Sequence, residues 1–193
     1  MKFVFFDTEF TGEHAFTTLV SIGLVTLEGE ELYITLNDYD RDQVTEWLKE
    51  NVLKHIDTKN SVNKKQAYEK ISNFFKKYSQ GEKINLVSAG KMNDIILLYQ
   101  LYHQGSPKLK YFHFLHGLPK YLNHSGHLDL ETMFNLAGVK IEHQDQSEIG
   151  GREKYANVKI KQEKHNALYD AKIVKECFKK LLKDSKLKGV IKI

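Results

Sequence analysis

The run Phe3-Val4-Phe5-Phe6-Asp7-Thr8-Glu9-Phe10-Thr11-Gly12 decides how the remaining residues are read. Four apolar residues lead straight into two acids. A short run of Val and Phe with no polar interruption predicts a strand covered on both faces. Side chains alternate along a strand, so Asp7 and Glu9 point to the same side. Two carboxylates together at the end of a buried strand repel each other and lose hydration. A hard cation such as Mg²⁺ or Mn²⁺ between them would relieve both costs. A strand that simply runs out into solvent would tolerate the same acids. The stretch alone leaves both readings standing, and further acids from elsewhere must decide.

Working outward, Leu19–Val25 predicts a second strand, Leu27–Glu30 a hairpin turn and Glu31–Leu36 a third strand. The chain therefore opens as an antiparallel meander. Helical spacing of apolar residues follows over Val44–His55 and Lys64–Tyr78. Ile84–Val87 reads as a strand, about Asn93–His103 as a helix ended by Gly105-Ser106-Pro107, and Tyr111–Phe114 as a further strand. Asp129–Leu136 reads as a helix capped by Asp129 and closed by Gly138. Glu142–Lys164 is a long polar segment, and segments of that kind inside compact domains are usually functional or mobile. The last helix spans about Ala167–Lys183. Three strands followed by alternating helices and strands predict an α/β protein, a mixed sheet flanked by helices.

The last helix supplies the next acid. Asp170 lies on the apolar stripe Val174, Cys177, Phe178, Leu181, one turn from the helix start. The helix dipole explains an acid near an N-terminus, but not one on the apolar side. Asp94 repeats the pattern, sharing a face with Leu97, Leu98 and Leu101. Capping by Asn93-Asp94 is the alternative there. His165 sits just before Asn166, a good helix cap, and is placed to reach the acids.

These residues resemble the three motifs of the DEDD (DnaQ-like) 3′–5′ exonucleases: Asp7-x-Glu9 after a buried strand, Asp94 in a mid-chain helix, and His165-x-x-x-x-Asp170 near the end. The His-x4-Asp spacing is that of the His branch. Trp47-Leu48-Lys49-Glu50-Asn51-Val52-Leu53 is similar to a stretch in a small bacterial 3′–5′ exoribonuclease branch first seen in mycobacteria. Many members carry His-Asn and then Phe-Asp around the second motif; this chain has Ser88-Ala89-Gly90-Lys91-Met92-Asn93-Asp94. The resemblance implies a ribonuclease-H-like fold, with Asp7, Glu9, Asp94 and Asp170 holding two divalent cations, Mg²⁺ or Mn²⁺. It implies His165 as the base, and Thr8, Phe10, Thr11 and His165 around the 3′ end of single-stranded RNA or DNA. Phe10 is otherwise a core residue. The implied activity is release of nucleoside 5′-monophosphates. RNA is the leaning from the Trp47 stretch. A 3′–5′ exodeoxyribonuclease of the proofreading type, a non-catalytic nucleic-acid-binding module and a small-molecule metal phosphatase are the contrasting readings.

Composition agrees. The chain has 193 residues and a formal net charge of +4, enough for one domain over 1–193 and compatible with a polyanionic partner. Its single cysteine, Cys177, excludes an intrachain disulfide and fits a reducing, cytoplasmic setting. Met1-Lys2 runs directly into the first strand, which leaves no room for a signal peptide, and no apolar run is long enough to span a membrane. A homo-oligomer is compatible with the sequence, which carries no signal for or against one. The basic C-terminal positions Lys172, Lys175, Lys179, Lys183, Lys186, Lys188 and Lys192 read mainly as a solvated helix face. Arg152, Lys154, Lys159, Lys161 and Lys164 are better placed to meet phosphate. His113/His116 and His124/His127 lack the cysteines usual in structural zinc sites and read as loop histidines.

Overall fold

The computed structural model describes residues 1–90, 92–141, 151–158, 165–184 and 187. Among them, β1 (Lys2–Phe10), β2 (Leu19–Thr26), β3 (Glu31–Thr35), β4 (Ile84–Ser88) and β5 (Leu128–Asp129) form one sheet in the order β3-β2-β1-β4-β5. The first three strands are antiparallel, and β4 and β5 run parallel to β1. This is the mixed sheet expected.

The central strand is buried on both faces, which is why its sequence lacks polar alternation before Asp7. Val4 and Phe6 join a cluster with α2 (Lys64–Ser79) and α3 (Met92–Leu101). Phe3 and Phe5 join a second cluster with α5 (Leu130–Ala137) and α7 (Ala167–Leu181). All four are at most 1% exposed, and burying each side chain is worth about 1.5–3 kcal/mol. A smaller cluster places Leu48 and Val52 of the α1 region against Val20.

Local signals set the helix limits. Asn63 and Gln66 form a capping box at the start of α2. Asn166 accepts from Leu168 N and Tyr169 N, so α7 begins where its cap predicts. Asp129 caps α5, and Gly138 closes it at φ 70°. Two expectations are corrected. The helix read over Val44–His55 is shorter: Thr45 caps α1 (Glu46–Asn51), and Val52, at φ −120° and ψ −62°, breaks it before a 3₁₀ turn. Tyr111–Phe114 is not a strand; Phe114 begins α4 (Phe114–Gly117). The β4 edge is taken instead by Leu128–Asp129 and a bridge from Leu122. Part of the polar segment 142–164 is helical, as α6 (Gly151–Ala156); 142–150 and 159–164, with Lys159, Lys161 and Lys164, lie outside the described residues, as do Lys186, Lys188 and Lys192. Among the described residues no helix is long and apolar enough to cross a membrane.

One contact fixes how α7 meets the sheet. Gly23 pairs with Asp7 across β1 and β2. A Cβ at Gly23 would lie 2.3 Å from both Leu168 N and Leu168 Cα. The first turn of α7 therefore rests on bare backbone, and the fully buried Ala167 and Ala171 allow the same close approach from the helix side. Gly23→Ala is expected to destabilise the fold by at least about 1–3 kcal/mol, the usual cost of overpacking. Urea denaturation checks this, and an unchanged midpoint would remove the close approach from the account.

Candidate active site

β1 delivers two acids and one hydroxyl by strict alternation. Asp7 and Glu9 share the face of Phe3 and Phe5, which α7 covers; Thr8 points to the α3 side. The β1–β2 register shifts between Glu9 and Phe10, an irregularity of the kind that re-aims side chains at the end of a ladder. Because α7 lies so close on Gly23, Asp170 in its first turn comes down onto the same place. Carboxylate oxygens of Asp7, Glu9 and Asp170 all lie within 4.8 Å of one another, and all three residues are half-buried. The expectation that the two strand acids and the helix acid share one pocket matches this geometry.

Asp94 approaches from the opposite layer. It is the third residue of α3, inside the first turn and not its cap, and is 1% exposed. Thr8 Oγ1 donates to Asp94 Oδ1 at 2.5 Å. It is not one of the three acids that lie mutually within 4.8 Å, yet its charge is felt at all of them.

The electrostatics follow from crowding. Burial raises the Asp7 carboxyl well above its ordinary range, and the charges of Asp94, Asp170 and Glu9 raise it further, with Arg152 opposing. Glu9 is pushed up to about 8 by burial, then by Asp170 and Asp94. Burial pushes Asp170 up to about 7; Arg152 works against this, while Glu153 and Asp94 add to it. Arg152 belongs to α6, which packs on α7 and accepts from Cys177 Sγ through its carbonyl at 3.3 Å.

His165 precedes the α7 cap and is half-buried, in the left-handed region at φ 64°. For a side chain other than glycine that conformation is uncommon and strained. Its ring meets Trp47 of α1 edge-on, 5.0 Å between centroids. Trp47 is itself 47% exposed. Two stretches more than a hundred residues apart thus converge here. Phe10 packs partly against the first cluster. Thr11 is buried and knits the β1–β2 connection: its Oγ1 donates to Gln43 Oε1 at 2.5 Å and accepts from Thr18 N at 2.9 Å.

Other candidates go elsewhere. His113 and His116 face each other, 4.7 Å between ring centroids, and His127 bonds Ser88 Oγ at 2.9 Å. Among the described residues the one grouping of three or more metal-liganding side chains is the Asp7–Glu9–Asp170 set. Lys172 pairs with Glu31 at 2.9 Å and Lys179 with Glu176 at 3.0 Å, as a solvated face implies.

Sequence reading missed two contributors. Gly23 was readable as a lone glycine in an otherwise apolar strand, a sign of close backbone approach. Tyr33 sits opposite Gly23 on β3, and burial and the charge of Glu9 raise its phenol. No sequence signal distinguishes Tyr33 from an ordinary strand tyrosine.

A mixed sheet with an oxygen-only acid cluster at the end of its central strand has the donors that a divalent-cation site requires. The comparisons with known proteins agree. The family model described as the 3′-5′ exoribonuclease Rv2179c-like domain matches residues 2–182. The chain belongs to that family of 3′–5′ exonuclease domains. Two solved structures share the fold. A metal-free ExoI–ssDNA complex from E. coli superposes with a TM-score of 0.59 at 13% identity, covering 95% of this chain and 40% of that one. S. pombe Pop2p, in a form with Mg²⁺ and Mn²⁺ bound, superposes with a TM-score of 0.61 at 14% identity, covering 98% of this chain and 86% of that one. The chain thus spans less than half the length of the ExoI structure. None of the curated protein sequences matches it.

The raised carboxyls carry a pH dependence. Without a divalent cation, the folded chain holds protons on Glu9 and Asp170 that the unfolded chain releases near pH 4. Stability therefore falls as pH rises from the ordinary carboxylate range toward about 8. Differential scanning fluorimetry in chelator is expected to show Tm declining across that window. Mn²⁺ or Mg²⁺ is expected to restore Tm, more at pH 8 than at pH 5, because the ligands must be ionised to bind. A Tm indifferent to both pH and cation would contradict the site.

Proposed function

We propose that this chain removes nucleotides stepwise from the 3′ end of single-stranded RNA, releasing nucleoside 5′-monophosphates, with two divalent cations held by Asp7, Glu9, Asp94 and Asp170. The observation that carries this reading is the gathering of the Asp7, Glu9 and Asp170 carboxylates at the end of one strand, with the charge of Asp94 felt at all three. The donor set is all oxygen and anionic, which suits Mg²⁺ or Mn²⁺. Bound there, the cations supply Lewis-acid stabilisation of the phosphodiester oxygens and make water a competent nucleophile at neutral pH.

The chain's own groups do the rest. Asp7, close to both Glu9 and Asp170, would serve as the ligand common to the cations. Thr8 fixes the Asp94 carboxylate through its hydroxyl. His165 takes the proton from the attacking water. Its contact with Trp47 limits where the ring can swing. The exposed Trp47 and the partly buried Phe10 offer faces on which terminal bases stack, worth ~1–3 kcal/mol per base. Arg152, whose charge already opposes that of Asp7 and Asp170, meets the phosphate.

End-labelled RNA and DNA oligonucleotides, incubated with Mg²⁺, Mn²⁺ or chelator, test this directly. The expected result is a ladder shortening from the 3′ end, absent in chelator and faster on RNA. Asp170→Asn is expected to lower the rate by more than the ~100-fold that follows loss of only a ligand's outer partner. Equal or faster ladders on DNA would reassign the substrate, and internal cuts would reassign the reaction. His165→Ala is expected to cost roughly 10²–10⁴-fold near pH 7 with cation affinity retained; full activity at neutral pH would remove the histidine from the proton transfer.

A further inference from the structure

On the other side of β1 from the acid cluster, the first strand connection and α3 enclose a cavity of about 320 Å³. This is the lower end of the size range of small-ligand sites. Its back is apolar, formed by the buried Leu19, Leu97 and Leu101. Two amide side chains, the exposed Gln100 and the half-buried Gln104, line it as well, along with the half-buried Lys64. Thr17, Thr18 and His103 complete the lining, and an apolar slot edged by amides, hydroxyls, an imidazole and one ammonium matches a flat heterocycle carrying polar edges and a nearby phosphate. It does not match a lipid, which would leave the amides unpaired, or a hard divalent metal, since no carboxylate lines it and His103 Nε2 already pairs with the Leu109 carbonyl at 2.8 Å.

Two elements link the cavity to the proposed active site. Its wall residue Thr18 is bonded to Thr11, two residues beyond Glu9. Leu97 and Leu101 follow Asp94 on the same face of α3, at about 4.5 and 10 Å along the axis at 1.5 Å per residue. Phe10 pairs with Leu19 and packs against the same cluster, so it separates acids from cavity. Single-stranded nucleic acid spans such distances within a few nucleotides, at 3.4 Å or more of rise for each.

We infer that this cavity is a base-binding subsite for a nucleotide upstream of the scissile 3′ end, in which Gln100 and Gln104 engage the base edges and Lys64 its phosphate. Lys64 is positioned for this by Asp38, whose carbonyl accepts from its Nζ at 3.3 Å and whose carboxylate accepts from its backbone N at 2.9 Å. The inference rests on the exonuclease reading, and its consequence is a length dependence. Substrates long enough to fill the subsite bind more tightly than those that end before it.

The test pairs one double variant with two kinds of substrate. Gln100→Ala/Gln104→Ala changes side chains at the cavity mouth and leaves its buried leucines in place. On a single-stranded RNA pentanucleotide the expected result is a KM raised about tenfold with kcat kept, in line with the worth of one base contact. On a dinucleotide, too short to reach Gln100 and Gln104 at about 9 and 15 Å beyond Asp94 along the chain's 1.5 Å rise per helical residue, wild type and variant are expected to behave alike. A scan of single abasic positions in the pentanucleotide should then find one upstream position whose loss raises the wild-type KM similarly and leaves the variant unchanged. Cleavage of the pentanucleotide with the same KM in variant and wild type, or an abasic scan with no upstream effect, overturns the subsite and leaves the exonuclease reading intact. An equal rise in KM on the dinucleotide also overturns it. Failure to cleave any oligonucleotide with either cation overturns the exonuclease reading, and the subsite with it.

Discussion

Electrostatic repulsion among carboxylates gathered at one strand end is the constraint on which this architecture turns. Asp94 raises the proton affinity of Asp7, Glu9 and Asp170, Asp170 raises that of Asp7 and Glu9, and Glu9 raises that of Asp7. Left to itself, a chain would separate them. Here the hydrophobic layers on both faces of β1 hold them in place, since Phe3 and Phe5 anchor β1 under α7 while Val4 and Phe6 anchor it under α3. Burial of apolar surface thus supplies the free energy that keeps unfavourable charges together.

The meander, the helix over Lys64–Ser79, the capped start of α7 and the acids were legible because each rests on local rules. Alternation put Asp7 and Glu9 on one side. A 3.6-residue period put Asp170 on the buried stripe. Asn166 marked the start of α7. The strand expected at Tyr111–Phe114 failed because its aromatic content matches a strand, whereas pairing is decided by which distant segment reaches the β4 edge first. The early end of α1 failed for a related reason: Val52 is fully buried beneath the sheet in the third cluster, and tertiary packing overrode a helical period.

The site shows the same division. The acid types and their order could be read from sequence, but their convergence depends on Gly23, whose importance appears only once Leu168 is seen resting on it. The pairing of Trp47 with His165 was equally hidden, because each residue alone has ordinary readings. For Asp94, sequence offered capping or ligation. The structure places it inside the helix and bonds it to Thr8, which takes it out of the cap position.

The two hydrophobic layers carry different members of the acid set, α3 bringing Asp94 and α7 bringing Asp170, with β1 as the wall between. Were a cation held by oxygens from both layers, it would act as a rivet through them. Loading the site would then stiffen the whole molecule, coupling the looseness of either layer to the occupancy of a few oxygen ligands. Divalent ion supply in the surrounding solution would become, by this route, a setting for mechanical rigidity.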